Sequence, residues 1–342
     1  AAMRARLSEI IAEVEQMPLP EAVQGERAEV VAFLSWLHDN NCVLLGCRDY
    51  ALVQHAGEPE LAVCPDSGLG LLREQADDGR SRTFAALPAS LKALASQPVL
   101  LTITKSNTRS SVHRPGYIDH FGIKRFDADG NVIGERRLIA LLATTAYSTS
   151  VRSIPLLRDK VAQIRQRAGF LPNSHADKTL LTILERYPRD ELFQIGLDEL
   201  FGHVMGILRL GERQQTRLFV RVDPFERFVS CLIYVPRENY NTDQRQRMQA
   251  VLLKAFNGSA AEFDVQFSES SLARIHIIIR TQGPIPEFEV RDVEAQLVRA
   301  LRRWEDDLQQ ALIEHNGEER GLDLLRQYRQ AFPASYREDY TP

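Results

Sequence analysis

"TRLFVRVDPFERFVSCLIYVP", residues 216–236, alternates apolar and polar positions on both sides of Asp223-Pro224, which is how a β-hairpin reads. Leu218, Val220 and Val222 share one face of the first strand, and Phe228, Ser230, Leu232 and Tyr234 share one face of the second. Downstream, "NTDQRQRMQAVLLKAFNG" (241–258) has helical periodicity: Asn241 or Thr242 as N-cap, an apolar stripe of Met248, Val251, Leu252, Ala255 and Phe256, and Gly258 past the end. "AEFDVQF" (261–267) and "LARIHIIIR" (272–280) are two more strands, whose Phe263, Val265 and Phe267 face Ile275, Ile277 and Ile279. Four antiparallel strands with helices on one face follow, and the helix at 198–208 is counted as the second helix of this layer.

The same logic applied upstream gives a second α+β block. A helix over "RAEVVAFLSWLHDNN" leads into the strands "CVLLGCRDYALV" and "ELAVCP", short helical pieces at "SGLGLLRE" and "PASLKALAS", and the strands "PVLLTITK", "GYIDHFGIKRF" and "VIGERRLIALLAT". The turn "DADGN" joins the last two. The expected fold class is α+β, with antiparallel sheets carrying helices on one face, a PAS-like domain followed by an ACT or ferredoxin-like domain, and helical segments between them. The expected boundaries are 1–26 for an N-terminal helix and linker, 27–150 for the PAS-like domain, 151–210 for a helical connector, 211–284 for the ACT-like domain, and 285–342 for a long helix and tail. That long helix, Glu289 to His315, would span about 40 Å at 1.5 Å per residue. Ala1 and Ala2 ahead of Met3, and the aperiodic end "ASYREDYTP", read as cuts in a longer chain.

The 342 residues imply more than one domain at roughly 150 residues each, and 44% hydrophobic with 26% charged residues is the composition of a folded globular chain. A formal charge of −4, from 42 basic and 46 acidic residues spread throughout, argues against nucleic acid or a membrane surface as partner. Cys42, Cys47, Cys64 and Cys231 lack CxxC spacing and read as reduced thiols, so a cytoplasmic location is expected.

Each candidate for chemistry has a plainer reading beside it. Gly68 and Gly70 open like a dinucleotide fingerprint, but Arg73 stands where the third glycine belongs, so a tight turn is expected. "DADGN" has its glycine too early for a calcium loop, and Leu138 sits where the bidentate carboxylate belongs. Ser110, Ser111, His113, Asp119 and His120 are the residue types of a nucleophile, base and orienter, with nothing to fix them in a triad. The alternation places His120 and Lys124 opposite Phe121 and Ile123, as in a half-buried strand. Lys105, Asn107, Arg109, His113 and Arg114 are the best-motivated set, because fixed positive charge in a Ser/Asn-rich loop can hold an anion or effector, or contact a neighbouring domain. Arg189-Asp190 and Glu305-Asp306-Asp307 read as solvated charge. No metal ligands are expected.

Several long stretches, taken in order, resemble one family: "FLSWLHDNNCVLLGCRDY", "LTITKSNTRSSVHRPGYIDHFGIKRFDADGNVIGERRLIALL", "GFLPNSHADKTLLTILERYPRDELFQI", "RLFVRVDPFERFVSCLIYVPRENYNT" and "EFDVQFSESSLARIHIIIR". From about Phe33 to Arg280 the chain is similar to the N-terminal part of the large bacterial NAD-specific glutamate dehydrogenases. That resemblance implies a parent enzyme that oxidatively deaminates L-glutamate to 2-oxoglutarate and ammonia with NAD. It also implies ACT-like and PAS-like domains in this region, and catalytic and NAD-binding residues elsewhere in the polypeptide. The implied partners are the C-terminal catalytic domain of the same chain, further copies in a homo-oligomer, and a small-molecule effector. The alternative is a stand-alone module that senses an amino acid or an anion.

Overall fold

Five strands from the first half of the chain pair into one antiparallel path, β2-β1-β6-β5-β4, formed by β1 (Cys42–His55), β2 (Glu58–Val63), β4 (Leu101–Arg109), β5 (Tyr117–Phe126) and β6 (Val132–Leu142). This is a computed structural model, and it describes residues 2–55, 58–73, 97–211, 213–267, 270–302, 304–333, 336–337, 340 and 342. The expected helical piece "PASLKALAS" lies outside the described residues. The chain divides into two units, residues 1–211 with 221–228, and residues 212–220 with 229–342.

In the first unit, α1 (Ala2–Gln16), α2 (Glu21–Gln24) and α3 (Arg27–Trp36) precede the sheet. The apolar spacing of α3 buries Val30, Phe33 and Leu34, and the Phe33 ring meets Phe121 of β5 edge-on at 5.6 Å between centroids. "SGLGLLRE" differs from its helical reading: Leu69–Gly70 form a short strand, β3, paired with Gly46 and Cys47 of β1. Gly70 has φ +62, and a Cβ there would lie 2.2 Å from the Leu45 carbonyl oxygen, so the close approach of two backbones requires the glycine. The "DADGN" hairpin forms as expected, with Asp127 Oδ1 accepting from the amides of Asp129 and Asn131, both at 2.9 Å.

Helices follow the sheet: α4 (Thr144–Ser148), α5 (Leu157–Ala168), α6 (His175–Arg186), α7 (Arg189–Gln194) and α8 (Leu197–Leu210). Gly169 ends α5 in the left-handed region, Ser174 caps α6 by accepting from the Asp177 amide, and Pro188 precedes α7.

A second sheet, β7-β8-β10-β9, is built from β7 (Arg217–Val222), β8 (Phe228–Pro236), β9 (Gly258–Gln266) and β10 (Leu272–Thr281), and its residues fall in the second unit except Arg221, Val222 and Phe228, which are grouped with the first. Its core joins Leu218, Val220, Val229, Cys231, Ile233 and Val235 to Ile275, Ile277 and Ile279. Helix α9 (Thr242–Ala255), capped by Asn241, adds Met248 and Leu252, with Phe256 just past its end. The second helix of this layer is α10 (Val290–Leu301), through Val293, Leu297 and Leu301. Residues 198–208 therefore do not fill that place, since they belong to α8 of the first unit. The element order ββαββα is a cyclic shift of the ferredoxin-like βαββαβ.

The single helix expected over 289–315 is broken. Helix α10 stops at Leu301, Arg302 takes an extended backbone with ψ 139, and α11 (Trp304–Asn316) begins afresh before α12 (Glu318–Tyr328). Leu301 is held in the sheet core while the Trp304 ring packs on Phe332 at 4.7 Å, and one straight helix does not serve both partners. Helices α11 and α12 approach so closely that a Cβ on Gly321 would lie 2.7 Å from the Ile313 Cα. Trp304 Nε1 donates to the Tyr340 carbonyl at 2.7 Å, and Arg337 pairs with Glu305 at 2.9 Å. Glu305 is thus an ion-pair partner and not merely solvated charge.

Candidate functional site

The loop flagged by its basic residues leads into a charged cluster in the first unit. Lys105 on β4 stands directly opposite Asp119 on β5 in the strand register. Its Nζ donates to Asp119 Oδ1 at 2.8 Å and lies 3.0 Å from Oδ2 of Asp190, at the start of α7. Tyr147 of α4 donates its hydroxyl to Asp190 Oδ1 at 2.9 Å, and the Leu142 amide donates to Asp119 Oδ2 at 3.3 Å. The cluster has a closed and an open end, because the Asp119 side chain is 6% exposed and that of Asp190 30%. Asp190, taken from the sequence as solvated charge, is half of this arrangement, and the neighbouring Arg189 is buried with Nη2 donating to the Thr149 carbonyl.

Charge and burial compete here. Burial alone would push the Lys105 ammonium down, but the Asp190 and Asp119 carboxylates outweigh it and hold it well above the usual lysine range. Burial raises the Asp119 carboxyl to about 6 against the pull of Lys105, and the like charge of Asp190 adds to the rise. Burial and Asp190 also push the Tyr147 hydroxyl up.

The remaining loop residues are placed as follows. Asn107 Nδ2 donates to the Arg227 carbonyl at 3.1 Å, and the Arg109 guanidinium lies over the Tyr117 ring at 4.9 Å. Arg114 Nη2 donates to the Leu142 carbonyl at 2.8 Å, and His113 is exposed with φ +69. Ser110 Oγ donates to the Val112 carbonyl at 2.7 Å within the turn. Asp119 and His120 project from opposite faces of β5, so no nucleophile, base and orienter converge.

The other face of β5 differs from an ordinary half-buried strand. Lys124 is buried and donates to Glu135 Oε2 at 2.9 Å, while Arg137 donates to Glu135 Oε1 through Nε at 2.9 Å and Nη2 at 2.8 Å. His120 lies on that face, and burial with Arg137 and Arg227 nearby lowers its imidazole to about 4, so the ring is neutral at pH 7. Among the described residues no group of three or more His, Cys, Asp or Glu side chains could hold a metal, and no described helix is long and apolar enough to cross a membrane. Sequence reading missed Asp190 and Tyr147 because their partners are remote in the chain, and no local spacing signals them.

A ββαββα layer that follows a helical stretch along the chain defines the class as an α+β chain with an ACT-type domain, and comparison with known proteins agrees. The family model for the glutamate dehydrogenase ACT2 domain matches residues 217–305, that for its helical motif 1 matches 154–213, and that for its helical motif 2 matches 311–342. The first of these ends four residues past α10, so it contains the second helix seen in the fold. The NAD-specific glutamate dehydrogenase of Halomonas elongata is 39% identical over 340 residues, and that of Pseudomonas aeruginosa 36% over 341, each covering 99% of this chain. The Mycobacterium tuberculosis protein of the same name is 29% identical over 354 residues. The chain spans about a fifth of the length of these relatives, 21%, 21% and 20% in turn. It belongs, as a segment, to the NAD-specific glutamate dehydrogenase family.

Proposed function

We propose that this chain is a noncatalytic regulatory and assembly segment of an NAD-specific glutamate dehydrogenase, an enzyme that oxidatively deaminates L-glutamate to 2-oxoglutarate and ammonia with NAD. The observation that carries this reading is the ACT2 match on a layer with its own apolar core, in a chain similar from end to end to enzymes five times longer. The glycines that most resemble a nucleotide loop are engaged in backbone packing of β3 on β1, which supports placing NAD elsewhere in the polypeptide. On this reading the catalytic part of the same polypeptide is the chain's first partner, further copies of the enzyme assemble with it, and the whole works in the cytoplasm. We read the first sheet as PAS-like on the strength of its antiparallel path and flanking α3.

For Lys105, Asn107, Arg109, His113 and Arg114 we adopt the contact role over the anion role. The support is that Lys105 already serves two carboxylates, while Asn107 and Arg114 hold backbone carbonyls. Inorganic phosphate at millimolar concentration is expected to leave the melting temperature unchanged, and a clear rise would restore the anion site.

The central test is enzymatic. The 342-residue chain, assayed alone for glutamate-dependent NAD reduction, is expected to show background only, and turnover would overturn the proposal. Deleting the segment from the whole enzyme is expected to change its oligomeric state or its response to amino acids; retention of both would remove the regulatory and assembly role.

A further inference from the structure

The Lys105 cluster has one more carboxylate than it has ammonium groups, and the surplus negative charge sits where two layers of the first unit meet. β4 supplies Lys105 and β5 supplies Asp119, whereas Tyr147 comes from α4 and Asp190 from the first turn of α7. We propose that Lys105, Asp119, Asp190 and Tyr147 form a pH-sensitive latch between the β4–β5 edge of the first sheet and helices α4 and α7, closed by uptake of one proton and loosened by its loss. The latch is a property of the first unit and stands whether or not the chain serves a dehydrogenase.

Geometry makes a single proton effective. Asp119 and Asp190 share one ammonium, so with both ionised, one negative charge stays uncompensated at the closed end, where solvent screens poorly. Protonating Asp119 removes that charge and leaves Lys105 to Asp190, the pair that spans from sheet to helix. The proton has a way in, because Asp190 and Tyr147 border solvent. Among the described residues, the charged and titratable groups around Asp119 are Lys105 from β4, Asp190 from α7, Tyr147 from α4, the Cys42 thiol of β1, which burial and Asp119 push up to about 12 and which stays neutral, and Arg114 of the β4–β5 loop, whose Nη2 is engaged by the Leu142 carbonyl. From β6 the Leu142 amide donates to Asp119 Oδ2.

The sign follows from linkage. Asp119 holds its proton more tightly folded than unfolded, so its contribution to folding is fully present below the ordinary carboxylate value and is lost as pH rises through about 6. Acidification therefore closes the latch, opposite to the effect expected of a solvated Asp-Lys pair.

The test is a ¹³C-carboxyl NMR titration of the chain labelled at aspartate, with Asp119 assigned by the signal lost in Asp119→Asn. Amide hydrogen exchange of α7 and β4, corrected for intrinsic pH dependence, is measured across the same range. One aspartate is expected to titrate near pH 6, with protection of α7 and β4 rising as it protonates. In Asp119→Asn that protection should stay high and flat with pH. An Asp119 midpoint below 4.5, or protection that ignores the titration, overturns the proposal. Should Asp119→Asn fail to fold, Asp190→Asn decides: removing the like charge must move the Asp119 midpoint down, and an unmoved or raised midpoint refutes the latch.

Discussion

Arg221 and Glu191 form a closed two-point ion pair, with Nε donating to Oε2 at 2.6 Å and Nη2 donating to Oε1 at 2.9 Å, and with the side chains only 4% and 5% exposed. Both residues lie in the first unit. A buried pair stabilises little relative to a well-packed apolar pair, but breaking it strands a charge. Glu191→Ala is expected to cost about 3 to 5 kcal/mol in urea denaturation. The double change Glu191→Leu with Arg221→Met should cost less than that single change. Equal losses from the single and double variants would mean that the charges do not act as a unit.

Gly321 offers a test of the helical pair that replaces the expected long helix. A side chain there would press on the Ile313 backbone at 2.7 to 2.8 Å, and backbone cannot yield as a side chain tip can. Gly321→Val is expected to separate α11 from α12 at a cost of about 1 to 3 kcal/mol. It should also increase amide exchange over 304–328, and an unchanged exchange pattern would contradict the close approach.

What was legible in the sequence follows from locality. Period-2 alternation and turn chemistry are written into neighbouring residues, so β1, β5, β6 and the 216–280 layer are readable from the order of residues alone. The break at Arg302 is not, because the apolar stripe Val293, Leu297, Leu301, Trp304, Leu308 runs on while its partners change from the sheet core to Phe332. Nor is the role of α8, whose apolar face fits either sheet or helix. The candidate site was half visible: Lys105 and Asp119 lie on adjacent strands, whereas Asp190 and Tyr147 join them only through the packing of α7 and α4.

Acid sensitivity is predicted at His203, whose Nδ1 lies 2.9 Å from the Tyr187 hydroxyl and whose imidazole burial lowers to about 4. A histidine depressed on folding stabilises the fold above its ordinary value of about 6.5, and that contribution is lost as pH falls toward 4. Between pH 7 and 5 the parent chain should lose up to about 2 kcal/mol more than His203→Phe, by chemical denaturation at each pH. A matching pH profile in the two proteins would remove His203 from the account.

Lys160 gives a pH dependence of the same sign in an alkaline window. Its Nζ donates to the carbonyls of Leu192 at 2.8 Å, Phe193 at 3.3 Å and Ile195 at 2.8 Å, closing the end of α7 with an ammonium where the helix has none of its own amides left to offer. Burial, with Arg221 adding repulsion, lowers this ammonium to about 8. A lysine depressed on folding sheds its proton more readily in the folded state than in the unfolded one, so folding gains as pH rises from about 8 toward 10 and loses that gain on return. The gain between pH 7.5 and 9.5 should be about 2 kcal/mol. Lys160→Met keeps the length of the side chain and removes both the charge and the three donated bonds. It should destabilise the chain at pH 7.5 by about 1 to 3 kcal/mol through the orphaned carbonyls. It should also show no rise in stability toward pH 9.5. Denaturation midpoints of both proteins at the two pH values measure this directly, and a parent chain with no alkaline gain would show that the Lys160 ammonium is solvated in the fold and does not close α7.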